Sequence, residues 1–242
     1  EGDVTISSTR QMLLASGSTG SAPAIIDTAG GPNPQYGYYT TLSFGGIIAD
    51  YVNEVGSLEK QGGSTFDYSG TAYNTGTFGV TDGTLLVSGA GSVNSASGIV
   101  IKNKSRDPNA TAQFNYASTV GLSKTVSFGA GGGVFAYNSA AAYTGTSSLT
   151  VTTGQTIAGA GNLSQTALAI GAGGTITPGN INGQAGTATV GALATGAVTL
   201  LNGGNYNFLI ADASGAFESV AGAGVGYSTI NASSVDLSGL TA

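Results

Sequence analysis

Glycine interrupts this chain every few residues, and the pieces left between glycines are the length of a β-strand. There are 42 Gly among 242 residues. Each Gly in a helix interior costs about 1 kcal/mol relative to alanine, so a helix cannot run far here. The intervening pieces alternate apolar and polar side chains with period two, as in Val4-Thr5-Ile6-Ser7, Phe78-Gly79-Val80, Leu149-Thr150-Val151 and Ala188-Thr189-Val190. That period belongs to half-buried strands. Thr84-Leu85-Leu86-Val87 and Ser148-Leu149-Thr150-Val151 are short apolar strands between Gly-containing turns, and pairs such as Asp82-Gly83 and Gly203-Gly204 supply the turns. The sequence therefore predicts an all-β protein of many short strands.

Hydrophobic residues make up 40%, with 11 Tyr and 8 Phe, which is enough to build a core and excludes a disordered linker. No apolar run approaches the ~18 residues of a membrane helix, so no membrane span is expected. The opening Glu1-Gly2-Asp3 lacks the basic and apolar regions of a signal peptide, so an exported chain would be in its mature form. With no Cys there are neither disulfides nor thiolate metal sites. The only basic residues are Arg10, Lys60, Lys102, Lys104, Arg106 and Lys124, against twelve acids and a net charge of −6. These six cannot form a basic face, which excludes nucleic acid as a partner. The low charge leaves little repulsion between copies.

Side chains for chemistry are scarce. The acids are scattered, and no two stand at a glycosidase or lyase spacing. An enzyme acting on polysaccharide would need acids such as Asp67 and Asp82 to converge in one cleft. Without His or Cys, a Ser nucleophile lacks its usual base. Gly129-Ala130-Gly131-Gly132-Gly133 is not followed by the Lys-Ser/Thr of a phosphate loop. Asp107-Pro108-Asn109 lacks the rest of a calcium loop and reads as a turn. Asn103, Asn109, Asn162 and Asn231 open Asn-x-Ser/Thr sequons, which chance explains in a chain this rich in Ser and Thr. The expectation is a protein that is not an enzyme, with no catalytic residue, no cofactor and no metal site.

Two segments are candidates for binding. Val4, Thr5, Ile6 and Ser7 form an N-terminal strand that either pairs within its own domain or inserts into a neighbouring subunit. Tyr36, Tyr38 and Tyr39 form the densest aromatic cluster, suited to core packing or loop anchoring, or to a surface patch for glycans or another subunit. Pro23, Pro32 and Pro34 predict a loop over residues 15–40. Pro178 argues against a central strand at its position.

Self-comparison reveals a repeat. Leu58-Glu59-Lys60 is followed by Gly62-Gly63, Thr65-Phe66-Asp67-Tyr68, Tyr73-Asn74-Thr75-Gly76-Thr77 and Val80-Thr81-Asp82-Gly83-Thr84-Leu85. Leu122-Ser123-Lys124 is followed in the same order by Gly131-Gly132-Gly133, Val134-Phe135-Ala136-Tyr137, Tyr143-Thr144-Gly145-Thr146 and Val151-Thr152-Thr153-Gly154-Gln155-Thr156-Ile157. This order resembles the autotransporter-associated β-strand repeat of large secreted bacterial proteins. Thr156–Leu163, Ile170–Asn180, Tyr206–Ile210 and Val235–Leu240 resemble the segments found downstream of such repeats, so the resemblance covers about residues 58–242. It implies export, a secreted or cell-surface location and a repetitive β architecture, and it implies no catalytic residues.

These readings give three segments: residues 1–57 with the N-terminal strand and Pro/Tyr loop, 58–181 with the repeats, and 182–242 as a C-terminal β region. The expected architecture is a β-solenoid, β-helix-like, with glycine corners and apolar residues inside; the alternative is a β-sandwich. At roughly 20–25 residues per turn of the stack there would be about ten turns and a rod of about 50 Å. Terminal turns of such a stack expose unpaired backbone. The expected function is a non-catalytic structural subunit of a bacterial surface filament or layer, a polymer of itself through β-edge or donor-strand pairing. The alternative is a monomeric adhesin or passenger module that binds glycans or a host surface.

Overall fold

The computed structural model describes residues 3–15, 22–28, 41–103, 111–181, 188–207, 209–210 and 227–240. Among these residues all regular structure is β, and the pairing between strands is parallel with one short exception, Asn180–Ile181 against Ala188–Thr189. Nine strands form the longest sheet. In order they are Val4–Ile6, Thr41–Phe44, Thr65–Tyr68, Thr84–Val87, Gln113–Tyr116, Gly133–Tyr137, Gln155–Gly159, Thr175–Pro178 and Asn205–Tyr206. Sequence order and spatial order coincide, and other sheets are visited between neighbours along most of its length.

From Thr41 to Val80 the chain goes round three sheets in a cycle. After Thr41–Phe44 comes Ile47–Asp50 in a three-stranded sheet, and then Leu58–Gln61 in a five-stranded one. After Thr65–Tyr68 come Ala72–Tyr73 and Thr77–Val80 in the same two sheets. The five-stranded sheet runs from Ala24–Asp27 to Val126–Phe128. Another sheet then holds Ser148–Val151, Ala167–Ile170 and the long strand Ala192–Leu200, with Asn162–Leu163 beside the first half of that long strand. Thr229–Asp236 pairs along its other edge.

Period-two alternation decides what faces inward. Phe66 and Tyr68, Phe78 and Val80, Ile99 and Ile101, Leu149 and Val151, and Leu168 and Ile170 are all buried, while the residues between them are not. The parallel register stacks these side chains into columns. One column runs the whole length of the long sheet: Val4, Leu42, Phe66, Leu85, Phe114, Phe135, Ile157, Ile176 and Tyr206. A second, two residues on, runs Ile6, Phe44, Tyr68, Val87, Tyr116 and Tyr137. Phe114 and Phe135 stack with ring centroids 5.9 Å apart, and Tyr116 and Tyr137 at 5.6 Å with planes within 3°. Burying each such side chain stabilises the fold by roughly 1.5–3 kcal/mol, and the stacked geometry adds to this.

The corners have their own recurring polar devices. Tyr116 Oη donates to the Val120 carbonyl at 2.8 Å, and Tyr137 Oη donates to the Ala141 carbonyl at 2.7 Å, the same role one strand further on. The N–H of Val120 donates to Ser118 Oγ, and that of Ala141 to Ser139 Oγ. Asn74 Nδ2 donates to the Gly56 carbonyl at 2.8 Å and Asn94 Nδ2 to the Gly121 carbonyl at 2.9 Å, each reaching the neighbouring level. One corner requires glycine: Gly83 has φ +61°, and a Cβ there would collide with the Gly62 carbonyl oxygen.

Two local expectations are corrected. Residues 15–40 are not all loop, because Ala24–Asp27 is a strand paired with Leu58–Gln61. Pro23 directly precedes it, where a missing N–H costs no ladder bond. Pro178 does lie within the long sheet, as the last residue of its strand opposite Gly159. The parallel ladder ends there, since Gly159 and Gly179 also form an antiparallel bridge.

Candidate functional site

Large exposed hydrophobic side chains are unevenly distributed among the described residues. Val4, Leu13, Ile25, Ile47, Tyr51, Val52 and Tyr73 lie toward the first strands, and Leu201, Tyr206, Ile210, Tyr227, Val235, Leu237 and Leu240 toward the last. Between Tyr73 and Leu201 only Val120 is of this kind among the described residues. The interior columns also run out at both ends. Ile6, Met12, Ala24 and Ile26 at one end, and Leu200, Ile230 and Ala232 at the other, pack against the core yet stay partly open to solvent.

The strands at these ends have a neighbour on one edge only among the described residues. Val4–Ile6, Gln11–Leu14 and Ala24–Asp27 each begin a sheet. Asn205–Tyr206 ends the long sheet, and Thr229–Asp236 pairs only with Ala192–Leu200. The usual guards of an exposed edge, Lys or Pro inside the strand, are missing from all five. Their only charges are Asp27 and Asp236, each at the final position of its strand.

Of the residues singled out from sequence, Val4, Thr5 and Ile6 form the first strand of the long sheet, in parallel register with Leu42, Ser43 and Phe44. Within the chain this strand is paired with its own sheet. Ser7 comes directly after it, at a corner where its hydroxyl pairs with that of Thr9 at 2.9 Å and its carbonyl accepts from the Arg10 N–H. Tyr36, Tyr38 and Tyr39 lie outside the described residues, as does Arg106-Asp107-Pro108-Asn109.

Among the described residues, no three acids gather into one group. Asp67 is half-buried on the long sheet and accepts from Ser88 Oγ at 2.6 Å, whereas Asp82 is completely buried. Asp50 serves its own corner, accepting from the N–H groups of Gly56 and Thr75 and from the Thr75 hydroxyl at 2.6 Å. No group of three His, Cys, Asp or Glu side chains able to hold a metal occurs among the described residues. No helix there is long and apolar enough to cross a membrane.

Lys60 stands out in the structure without having belonged to any sequence motif for chemistry. It is completely buried and takes the position between Ile26 and Val80 in the five-stranded sheet. Its Nζ donates to the carbonyls of Gln61 at 2.9 Å, Gly62 at 2.5 Å and Asp82 at 2.9 Å, tying two levels of the stack together at a corner. Burial pulls its pKa from 10.5 down to about 7, against the opposing fields of Asp82 and Asp27. A signal was present: period two puts Lys60 on the same face as Leu58.

No family model, curated protein or solved structure matches the chain.

Proposed function

We propose that the chain is a β-solenoid whose function is structural: a non-catalytic, extracellular or cell-surface subunit that self-associates through the ends of its sheets into a filament or layer. The cyclic order of the sheets and the columns through the long sheet support the solenoid reading. One observation carries the functional reading. Among the described residues, the first and last strands carry neither Lys nor Pro and lie over interior columns that are still partly open. A subunit meant to stay single would blunt such edges with charge, proline or a covering segment. The resemblance to secreted bacterial repeats supports a location outside the cell.

Electron microscopy and sedimentation over a concentration series test this. Regular fibres or sheets, growing with concentration, are the expected result. A single monomeric species at high protein concentration would refute self-association and leave the monomeric adhesin as the better reading.

A further inference from the structure

We infer that the outer face of the three-stranded sheet binds a neutral glycan, one hexose lying with its apolar face on Ala49. The sheet pairs Gln11–Leu14, Ile47–Asp50 and Ala72–Tyr73 in parallel. Its inner positions Leu14, Ile48 and Ala72 are buried in the core. On the outer side, register places Ala49 between Leu13 of one neighbouring strand and Tyr73 of the other. Ile47 precedes Ala49 by two residues on the same face. Tyr51 follows it by two, and its N–H continues the ladder by donating to the Leu14 carbonyl at 2.8 Å. Leu13 is 50% exposed, Ile47 41%, Tyr51 52% and Tyr73 58%. The small Ala49 is thus the floor of a depression with a larger, exposed side chain on each of four sides. Two strand spacings separate Leu13 from Tyr73, about 9.6 Å, and four residues along the strand separate Ile47 from Tyr51, about 13 Å.

Three properties of this depression select its occupant. Its walls and floor carry no charge, and the nearest acid, Asp50, is engaged by the N–H groups of Gly56 and Thr75 and by the Thr75 hydroxyl. Charge complementarity therefore favours an uncharged ligand over a phosphate, a sulfate or a basic peptide. Four side chains around one methyl group form a patch well below the roughly 800 Å² that each partner contributes to a stable protein interface, so the fit is to a single sugar-sized group. Tyrosine walls match a pyranose, whose C–H face packs on the electron-rich face of the ring while its hydroxyls point to the rim. Gln11 and Thr71 are exposed there, on either side of Ile47, and offer an amide and a hydroxyl to those groups. The face looks sideways, across the direction in which the strands stack, so the site does not depend on how the ends of the chain associate.

Fluorescence anisotropy of end-labelled hexasaccharides tests this on the full-length chain. The neutral probes are maltohexaose, cellohexaose, mannohexaose and chitohexaose, and the anionic probe is hexagalacturonate. Circular dichroism establishes that every variant is folded, and electron microscopy reads self-assembly in parallel. Saturable binding of at least one neutral probe is the expected result. Tyr73→Ala should weaken it about tenfold. Tyr73→Phe should hold it within about twofold, because the ring is kept. Ala49→Leu should abolish it by filling the depression. Binding unchanged in Ala49→Leu, binding of the anionic probe alone, or no binding of any probe would overturn the site. Loss of fibres in Tyr73→Ala and Ala49→Leu, with no glycan bound by the wild type, would assign the face to contacts between copies instead. Glycan binding by a chain that stays monomeric would sustain this inference while refuting self-association.

Discussion

Lys60 sets a measurable pH dependence on the stability of the whole stack. Its ammonium is held at about 7 in the folded chain against 10.5 as its ordinary value, because burial between Ile26 and Val80 removes it from water. As pH falls, a base whose folded pKa is depressed takes up its proton in the unfolded chain before it does so in the folded one. Between pH 7 and 10.5 the unfolded state therefore binds more protons, and stability rises with pH across that window. Below about pH 7 both states are charged and the full cost, about 5 kcal/mol, is present. From about pH 6 to about pH 9, roughly 2–3 kcal/mol of it is relieved.

The buried tyrosines bound the window from above. Burial raises Tyr116 and Tyr143 to about 12, so the unfolded chain loses its phenolic protons first and stability falls again as pH climbs past about 10. The maximum set by these groups lies near about pH 9–10. Lys60→Met is the informative variant, and its slope is the quantity to read. At any single pH it removes the cost of burying Lys60 but also the donor to three corner carbonyls, and these effects oppose each other at about 1–3 kcal/mol per lost bond. The difference in unfolding free energy between wild type and Lys60→Met, from denaturant titrations at intervals from about pH 6 to about pH 9, isolates the titration. The expected result is a wild type that gains roughly 2–3 kcal/mol relative to the variant over that range. A pH-independent difference would refute the assignment of a low pKa to Lys60.

Two further sites test the corners. Gly83→Ala should cost about 2–4 kcal/mol, read by thermal or denaturant unfolding. Its Cβ would collide with the Gly62 carbonyl oxygen and lie 2.5 Å from that of Ser64, whereas Gly89, at a similar φ, has its nearest atom at 3.8 Å. Gly89→Ala should therefore cost only about 1 kcal/mol. Equal losses at the two sites would mean that backbone angle, and not the close approach of neighbouring levels, makes glycine necessary. Tyr137→Phe should cost about 1–2 kcal/mol, because the Ala141 carbonyl loses its donor while the ring keeps its place in the column. An unchanged denaturation midpoint would show that solvent replaces the hydroxyl at that corner.

The strands themselves were legible in the sequence, because period two survives in short pieces. Ser148–Val151 falls where its alternation places it, and Thr84–Val87 where a short apolar run follows the Asp82-Gly83 turn. The repeat is also mirrored in the fold: Thr65–Tyr68 and Gly133–Tyr137 both lie in the long sheet, each after a glycine corner. Its details are not equivalent, however. Lys60 is buried within a strand while Lys124 precedes one, and Tyr73 is exposed where Tyr143 is buried among aromatic rings. Local pattern cannot separate these cases, since burial at a corner depends on which residue stacks above. Ala24–Asp27 was hidden by the prolines around it, although Ile25 and Ile26 carry strand character of their own. The open ends were legible only as a general property of stacked strands. Their residues emerged once register showed which strand came first and which last.

The columns keep register although the segments between them differ in length. Phe66 and Leu85 are close in sequence, and Leu85 and Phe114 are further apart, yet each pair stands side by side. Insertions and deletions at a corner are therefore silent to the lattice, while a single residue gained or lost inside a strand would turn every later side chain in that strand to the opposite face. Such a molecule tolerates longer corners so long as its columns are kept. Relatives could diverge past recognition along the linear sequence and still share this lattice, so the productive way to compare them is column by column.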